Sequence, residues 1–416
     1  MKILFSAIHY PDPNANTTCC ENLAYYFKSQ GHDVDFLVIK QPNQSNFEIV
    51  NGFDVFRVEP KEKSFYYTHF SSFSAKNSNN WSIYSNIDMN LLIKKQNVKF
   101  KAYPPTLLIS FFLDVDDACQ KLKNANKHYD YTFAFCTPYT CLTLAYVLKK
   151  KKITDHWAAV MLDAFIFNKC LPESESYYRK RVIENIFTTA DRIFLVKGIL
   201  EEYPLHSYKP EFLNRTTEIA IPIMKEPQTF GAENFNDIPT LVYAGMFYWN
   251  IRNPEKMLEI LSKIIKTKIK IFSCHCEDIF ERKKELFTES ELCLSGRISH
   301  DQCLKEFENA DFLINLGNAI SNQTPSKILE YISFGKPIIH FYFNEDDTCL
   351  PILKNYPLSI CVNVEHYSDA DIQNINDFIL KNKGKKITFD EATKNLKTYR
   401  IDYIGDLMQK VTLNKI

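Results

Sequence analysis

The segment TPSKILEYISFGKPII, residues 324–339, decides the fold prediction for this chain. Thr324 is a favourable N-cap, and Pro325 suits the first helical position because no N–H is needed there. Gly335 allows the chain to leave a helix in the left-handed conformation, and Pro337 prevents the helix from continuing. The apolar residues at the end of the segment are typical of a buried strand. The segment therefore predicts a short helix followed directly by a strand.

Two charged side chains in this predicted helix indicate a ligand. The N-terminus of a helix presents N–H groups and partial positive charge, which suits a phosphate group. Lys327 lies in the first turn, where a cation is unfavourable unless an anion is close. Glu330 lies about one turn deeper, on an otherwise apolar stretch. A cation in the first turn of the helix and a carboxylate one turn further along it are suited to bind a diphosphate and a sugar hydroxyl of the same ligand.

Strand and helix patterns alternate on both sides of this segment, which predicts parallel sheets with a ligand crevice at the carboxyl ends of the strands. Residues 61–105 are rich in Ser, Asn and aromatic residues and predict a long surface excursion, while residues 225–237 predict a linker. Helices are predicted over residues 17–30, 139–149, 173–189 and 389–411. Strands are predicted over residues 2–8, 34–39, 131–136, 157–162, 193–196, 240–244, 269–273, 312–315 and 358–364. The whole pattern predicts two α/β halves that face a cleft.

Composition narrows the class of protein. A chain of 416 residues exceeds a usual single core, which predicts two domains. The 50 basic and 50 acidic residues balance, which argues against a dedicated nucleic-acid binder. The 12 scattered cysteines are typical of reduced thiols in a cytosolic protein. With no signal-peptide pattern and no apolar membrane span, we expect a cytoplasmic protein whose membrane contact is at most peripheral.

Three loops of the second half follow predicted strands and are expected to converge at one edge of its sheet. They cover residues 245–252, 296–297 and 316–327, and they supply Arg252, Arg297 and Lys327. Together with the helix N-terminus at Ser326, these cations predict a diphosphate site. The alternative for each arginine alone is an ordinary surface residue.

The chain resembles a known family. PSKILEY followed by GKPII, within residues 325–339, looks like the donor motif of GT-B glycosyltransferases, especially the bacterial retaining enzymes of family 4. Further matches are residues 310–315 with Asn318, residues 243–245 with Arg252, and residues 2–5 with residues 31–34. The resemblance covers nearly the whole chain, and residues 324–339 are its most specific part.

The resemblance implies two Rossmann-like domains. Residues 1–224 would form the acceptor domain and residues 225–388 the nucleotide-sugar domain, with a last helix over about 389–416 packing back on the first. In the family, the residue matching Glu330 binds the ribose hydroxyls, and those matching Arg252 and Lys327 hold the diphosphate. Gly245, Ser326, Asn318, Arg297 and Asn322 complete the expected donor site. Asn322 stands where the family often has a second Glu, which leaves the grip on the sugar and the stereochemical outcome open.

The expected reaction moves a hexosyl- or N-acetylhexosaminyl-type sugar from a nucleotide sugar to a glycan, glycolipid or glycoprotein. A UDP-sugar is expected as the donor rather than a GDP-sugar. Fixed cations of the protein stabilise the negative charge that develops on the leaving phosphate. No metal and no cofactor are therefore expected. Asp163, at the end of a predicted strand, and His9, in the first loop, are candidates to act on the acceptor hydroxyl. The alternatives are a structural Asp and a surface-loop His. His156 and His340 are interpreted as structural.

Three further interpretations remain open. The lysines at 149–152, with those at 94–95, would suit contact with anionic lipid and a lipid-linked acceptor, although such runs are usually solvated faces. The chain could instead be a nucleotide-sugar epimerase of the same fold or an inactive nucleotide-binding member. A two-lobed solute-binding protein is disfavoured by the absent export signal and the thiol count.

Overall fold

The computed structural model describes residues 1–11, 14–59, 115–136, 139–163, 183–184, 186–205, 210–230, 237–320 and 323–413. The chain divides into two compact units. The first comprises Met1–Pro222 with Ile404–Ile416, and the second comprises Ile223–Tyr403. The sequence predicts a domain boundary at 224/225 and a returning segment that begins at about residue 389. Among helices of the described segments, none is both long enough and apolar enough to cross a bilayer.

The first unit is an α/β sandwich on an eight-stranded sheet. Its strand order is β3-β4-β2-β1-β5-β6-β7-β8, and every neighbouring pair is parallel except β3 with β4. The strands are β1 Lys2–Ser6, β2 Asp33–Ile39, β3 Phe47–Val50, β4 Phe53–Val58, β5 Tyr129–Cys136, β6 Thr154–Met161, β7 Arg192–Leu195 and β8 Thr216–Glu218. The helices are α1 Ala15–Ser29, α2 Val115–Asn124, α3 Tyr139–Lys150, α4 Lys197–Leu205 and α5 Pro210–Leu213.

Helix α1 packs on the centre of this sheet. Asn14 caps the helix, since its Oδ1 accepts the amide of Thr17 at 2.9 Å. Phe27 on α1 stands against Phe5 and Phe133 on neighbouring strands, with ring centroids 6.0 and 5.2 Å away. All three rings are fully buried. This aromatic core fixes the start of α1 at the carboxyl end of β1.

The second unit contains a six-stranded parallel sheet. The strands are β9 Thr240–Ala244, β10 Lys268–Phe272, β11 Glu291–Ser295, β12 Phe312–Leu316, β13 Ile338–Tyr342 and β14 Ser359–Asn363. The helices are α6 Glu255–Leu261, α7 Glu277–Lys283, α8 His300–Asn309, α9 Lys327–Ser333, α10 Leu350–Leu353, α11 Asp369–Asn382 and α12 Phe389–Thr393. The last helix, α13 Ile401–Thr412, begins in the second unit, but most of its residues belong to the first. Short 3-10 turns lie at Lys284–Leu286 and Lys397–Tyr399.

The strand order β11-β10-β9-β12-β13-β14 is the Rossmann order 3-2-1-4-5-6. The order therefore reverses between β9 and β12, where such sheets open a ligand crevice beyond their strands. One face of the sheet packs into a continuous core against α6 and α11, with Leu241, Ile269, Ile314, Ile339 and Val362 contributed by five of the strands. This core holds the loops after β9 and β12 at the same edge.

Most predicted elements of regular structure are present, and two predictions need correction. Strand β9 has the predicted bounds. The helix that was expected to begin directly after Thr324 begins at Lys327. The single helix predicted over 389–411 is two helices joined by a 3-10 turn, because Arg400 adopts extended backbone between them. The helix predicted over 173–189 lies mostly outside the described residues, and the 61–105 excursion lies wholly outside them. Residues 225–230 form no helix or strand, as a linker predicts.

Candidate functional site

The loops after β9 and β12 are joined by an arginine–asparagine contact at the point where the strand order reverses. Asn318 Oδ1 accepts from Arg252 Nε at 3.0 Å and from Nη2 at 2.7 Å. The amide of Ala319 also donates to the carbonyl of Ile251 at 2.7 Å. Asn318 Nδ2 in turn donates to the carbonyl of Gln323 at 2.8 Å, which ties the β12 loop to the start of α9. The sequence-predicted residues Arg252 and Asn318 are therefore in direct contact.

Gly245 begins the β9 loop in a confined position. Its amide donates to the carbonyl of Phe272 at 3.1 Å, which continues the sheet by one residue. A Cβ at this position would lie 3.1 Å from the hydroxyl of Tyr243, so a side chain would press on that ring. The hydroxyl of Tyr331 contacts both the amide and the carbonyl of Ala244, at 3.0 and 3.1 Å. These contacts fix the backbone at the mouth of the crevice and keep it bare of side chains.

Helix α9 enters this edge through a tight turn. The amides of Ile328 and Leu329 donate to the carbonyls of Pro325 and Ser326, so the first turn has 3-10 character. Ser326 is half-buried, and its side chain makes no capping bond. The cap predicted at Thr324 therefore does not form, and the backbone turn at Pro325 starts the helix instead.

Glu330 is the centre of a buried charged cluster. Its Oε1 accepts from His300 Nε2 at 2.7 Å, and its Oε2 is paired with the ammonium of Lys327. The Glu330 side chain is 8% exposed, whereas Lys327 and His300 are each 29% exposed. Burial alone would raise the pKa of Glu330, but Lys327 and His300 outweigh it and lower this pKa to about 2. The carboxylate is therefore ionised at any physiological pH, with both oxygens directed towards partly exposed donors.

His300 is a member of this cluster that the sequence analysis missed. It is the first residue of α8, whose start is fixed by a capping box between Ser299 and Gln302. That box is visible in the sequence and predicts a helix from residue 300, but it says nothing of a contact with α9. Lys327 also lies over the ring of Phe307 on α8, 5.3 Å from its centroid. The cluster therefore depends on how two separate helices pack.

The remaining predicted donor residues lie around or beyond this cluster. Arg297 is exposed in the loop between β11 and α8. Burial raises the pKa of Cys303 on α8, and the charge of Lys327 opposes this rise. Asn322 lies outside the described residues, so its predicted place at the sugar end stays a prediction.

In the first unit, the two predicted catalytic residues both contact the first turn of α1. His9 is buried, and its Nδ1 donates to the carbonyl of Ile39 at 3.0 Å, while its own carbonyl accepts from Thr17 Oγ1 at 3.1 Å. Asp163, half-buried after β6, accepts from Asn16 Nδ2 at 3.1 Å. Burial raises the pKa of Asp163 and the Asn16 hydrogen bond lowers it, with a net rise. His9 is thus a buried residue and not the surface-loop histidine of the alternative interpretation.

The lysine run at 149–152 is partly neutralised. Lys149 pairs with Asp191 at 3.8 Å, and Lys151 pairs with Asp116. Residues 94–95 lie outside the described segments. Contact of this run with anionic lipid stays a prediction.

The arrangement in the second unit suits an anionic ligand that also carries hydroxyl groups. Lys327 and Arg252 supply partly exposed cations at a switch-point edge, and Glu330 supplies an ionised acceptor paired with Lys327. Among the described residues, one group of three could ligate a metal, His340 with Asp347 and Cys349.

No protein-family model matches the chain, and no curated protein matches it. Among solved structures, it is similar to the apo form of the lipopolysaccharide outer core galactosyltransferase WaaB, with a TM-score of 0.56 and 13% identity over 100% of both chains. It is similar to Anabaena HepE in complex with UDP and glucose, with a TM-score of 0.60 and 11% identity over 100% of both chains. It is also similar to UDP-GlcNAc 2-epimerase from Neisseria meningitidis bound to UDP-GlcNAc, with a TM-score of 0.53 and 9% identity over 100% of both chains.

At these identities the likeness establishes the fold. The described residues form two Rossmann-like units with predominantly parallel sheets, and the similar solved structures of the GT-B fold cover the whole chain. The predicted fold class is confirmed. The structural neighbours include glycosyltransferases and an epimerase, so fold alone does not separate these two activities.

Proposed function

We propose that this protein is a glycosyltransferase that moves a sugar from a nucleoside diphosphate sugar to a glycan, glycolipid or glycoprotein. The observation that carries the proposal is the buried Glu330 carboxylate, held ionised between Lys327 and His300 at the edge where Arg252 is anchored. A nucleoside diphosphate offers what this site binds: phosphate oxygens for the cations and ribose hydroxyls for the carboxylate. Neighbours of the same fold hold UDP and UDP-sugars, which favours UDP over GDP.

In this proposal Glu330 accepts hydrogen bonds from the ribose hydroxyls. Each carboxylate oxygen has two acceptor positions, so His300 can keep its bond while a hydroxyl uses a second lone pair. Lys327 then turns from Glu330 to the diphosphate, joined by Arg252 and by the first turn of α9 at Ser326. Asn318 holds the guanidinium of Arg252 in place, and Gly245 allows the ligand to approach the backbone. Arg297 and Asn322 are assigned to the outer and sugar ends of the site.

The chemical step follows from this charge arrangement. When the sugar–phosphate bond breaks, negative charge grows on the leaving diphosphate, and cations fixed in a poorly hydrated site stabilise that charge most in the transition state. Lys327 and Arg252 supply two positive charges, so the reaction is proposed to run without a metal at this site and without a cofactor. By the family resemblance, the stereochemical outcome is proposed to be retention.

We assign acceptor activation to the first unit. The raised pKa of Asp163 makes its carboxylate a stronger base than an ordinary Asp, which suits removal of a proton from a hydroxyl. In His9, donation from Nδ1 to the Ile39 carbonyl places the lone pair of a neutral ring on Nε2. Both groups lie beside the first turn of α1, and Asp163 is the preferred candidate. A lipid-linked acceptor at an inner membrane surface and a cytoplasmic location belong to the same proposal.

A donor screen with a turnover assay tests the proposal. The full chain is screened against UDP, GDP and their sugars by thermal shift, where ligand at ~100 times its dissociation constant stabilises by about 2.7 kcal/mol. We expect a UDP-sugar to stabilise the protein. Purified chain is then incubated with that donor, with and without a panel of acceptor glycans, and the products are resolved by mass.

The outcomes separate the proposed activities. Release of UDP with a mass gain on an acceptor supports the transferase. Conversion of the donor sugar without an acceptor supports the second candidate, an epimerase, which the neighbour bound to UDP-GlcNAc favours. Binding without either product indicates an inactive member, and absence of any nucleotide binding contradicts all three.

A further inference from the structure

A second polar cluster lies in the second unit, on the sheet face opposite the main core. The register of β12, β13 and β14 places Asn315, His340 and Cys361 in one row across the three strands. Their neighbours in sequence, such as Ile314 and Ile339, belong to the apolar core on the other face. The loop after β13 covers this row with Asp347 and Cys349. A histidine, a carboxylate and a thiol therefore meet inside a unit that is otherwise packed with apolar side chains.

Three atoms of this cluster could ligate the same ion. His340, Asp347 and Cys349 are 0%, 3% and 0% exposed, and each offers one ligand atom within 4.8 Å of the other two. A tetrahedral zinc site with bonds of about 2.0–2.3 Å separates its ligand atoms by roughly 3.5 Å, so a contraction of about 1 Å would close the group on an ion. Side-chain rotations of this size are available to an Asp in a loop.

Two buried atoms of the cluster lack a hydrogen-bond partner among the described residues, namely His340 Nε2 and Asp347 Oδ2. The nearest approach of the imidazole to the carboxylate is 3.5 Å, from His340 Nε2 to Asp347 Oδ1, which is too long for a strong bond. Asp347 Oδ1 is already bonded to the amide of Cys349 at 2.6 Å. A buried carboxylate oxygen without a partner is costly, and a cation between these atoms would remove that cost.

Asn315 supports two of the three groups. Its Nδ2 lies 2.9 Å from His340 Nδ1 and donates to Cys349 Sγ at 3.7 Å. With the Asn315 amide reversed, its oxygen would accept Nδ1–H and leave the Nε2 lone pair free for an ion. Asp347 Oδ2 presses so closely on Gly317 that a Cβ there would lie 1.7 Å away. The cluster thus lies directly beneath the β12 loop, one residue before Asn318.

We propose that His340, Asp347 and Cys349 form a structural site for one zinc-type divalent cation beneath the β12 loop. The mixed nitrogen, sulfur and oxygen ligands favour zinc over magnesium or calcium, which prefer oxygen alone. On binding, the thiol of Cys349 loses its proton to solvent and the thiolate ligates the ion. The bound ion holds the β13–α10 loop against Gly317 and so keeps Asn318 in place. None of its three ligands is a residue assigned to the donor site, where no metal is proposed.

Metal content and cobalt spectroscopy of the full chain test the site. The protein is purified without a histidine tag, assayed for zinc, stripped with a chelator, and titrated with zinc or with Co²⁺ as a spectroscopic probe. We expect one zinc per chain and a thiolate-to-cobalt charge-transfer band that saturates at one equivalent. Cys349→Ser should abolish the band, while Cys119→Ser, a buried cysteine of the first unit, should retain it.

Asp347→Asn keeps the side-chain shape and removes the charge. We expect it to weaken zinc binding by more than the roughly 10- to 100-fold that loss of a supporting group costs at metal sites. Folding of each variant is checked by circular dichroism, and the unmodified chain is itself decisive. A wild-type protein that takes up no zinc or Co²⁺ at micromolar concentration overturns the proposal. A cobalt band that persists in Cys349→Ser overturns it equally.

Discussion

Replacement of Glu330 by Gln removes the central charge of the α8–α9 cluster and keeps its volume. The carboxylate has a pKa of about 2 against an ordinary value of 4.5. A difference of this size corresponds to about 3 kcal/mol of stability at ~1.4 kcal/mol per unit. Because Glu330 is buried, solvent screens little of this. We therefore expect Glu330→Gln to lower the free energy of unfolding at pH 7 by up to about 3 kcal/mol.

The sign of the pH dependence follows from the lowered pKa. A carboxylate with a lowered pKa in the folded state contributes stability that is complete above pH 4.5 and is lost as pH falls towards 2. Between pH 7 and about pH 3.5 the wild type should lose on the order of 1 kcal/mol through this group. The amide that replaces the carboxylate in Glu330→Gln cannot ionise, so the variant should lack this part of the acid sensitivity.

Urea unfolding followed by circular dichroism, at pH 7 and about pH 3.5, measures the difference between the two proteins. Glu306→Gln is the matched control, since Glu306 lies on α8 and pairs with one half-exposed lysine, Lys270. An exposed pair of this kind is worth less than about 1 kcal/mol. Equal acid sensitivity in wild type and Glu330→Gln, or a larger effect from Glu306→Gln, would refute the reasoning.

Three further predictions concern other parts of the molecule. Asn318→Ala removes the anchor of Arg252 and should weaken nucleotide binding roughly 10-fold, as loss of one charged hydrogen bond implies, and lower the melting temperature by no more than a few degrees. Unchanged affinity in calorimetry contradicts this prediction. Gly335→Ala should destabilise the second unit by more than about 1 kcal/mol, because φ is +66° and a Cβ would lie 1.9 Å from the Ile387 carbonyl oxygen; an unaltered urea midpoint argues against this. Asp163→Asn should reduce the rate of sugar transfer about 100-fold or more, the scale of general base catalysis, and leave donor affinity intact. A transfer rate equal to that of the wild type would show that Asp163 is not the base.

The fold was predictable because its strongest signals are local. The strand Thr240–Ala244 is a short continuous apolar run, and helix α1 has apolar residues at helical spacing. The helix–strand pair over 324–339 carries its own stop signals in Gly335 and Pro337. The strand order was not predictable in this way. Which strands lie side by side depends on contacts between residues far apart in sequence, and no periodicity encodes them.

Some missed elements did leave a signal. Asn51-Gly52 stands between two short strands and adopts positive φ at both residues, the turn that favours a two-residue hairpin. Strands β3 and β4 were nevertheless missed because Phe47 and Ile49 alternate with polar residues over only four positions. Helix α8 likewise begins with a capping box that the sequence displays.

The site was predictable only in part. Lys327 and Glu330 lie three residues apart on one helix, so their contact follows from helical geometry. Arg252 was expected here because loops after parallel strands converge, and Asn318 was expected from the family resemblance; the two side chains are in contact. His300 could not be inferred, since its bond to Glu330 requires α8 to pack on α9. His340 was interpreted as structural, and its meeting with Asp347 depends equally on a loop path.

Binding of UDP to Lys327→Met, measured by calorimetry, tests the central claim most directly. A hydrogen bond to a charged group contributes about 1.5–3 kcal/mol, so the account predicts affinity reduced roughly 10- to 150-fold. Lys305→Met, which removes an exposed lysine of α8, should bind UDP like the wild type. Unchanged UDP affinity in Lys327→Met, with the protein folded, would contradict the assignment of the α9 segment as the donor site.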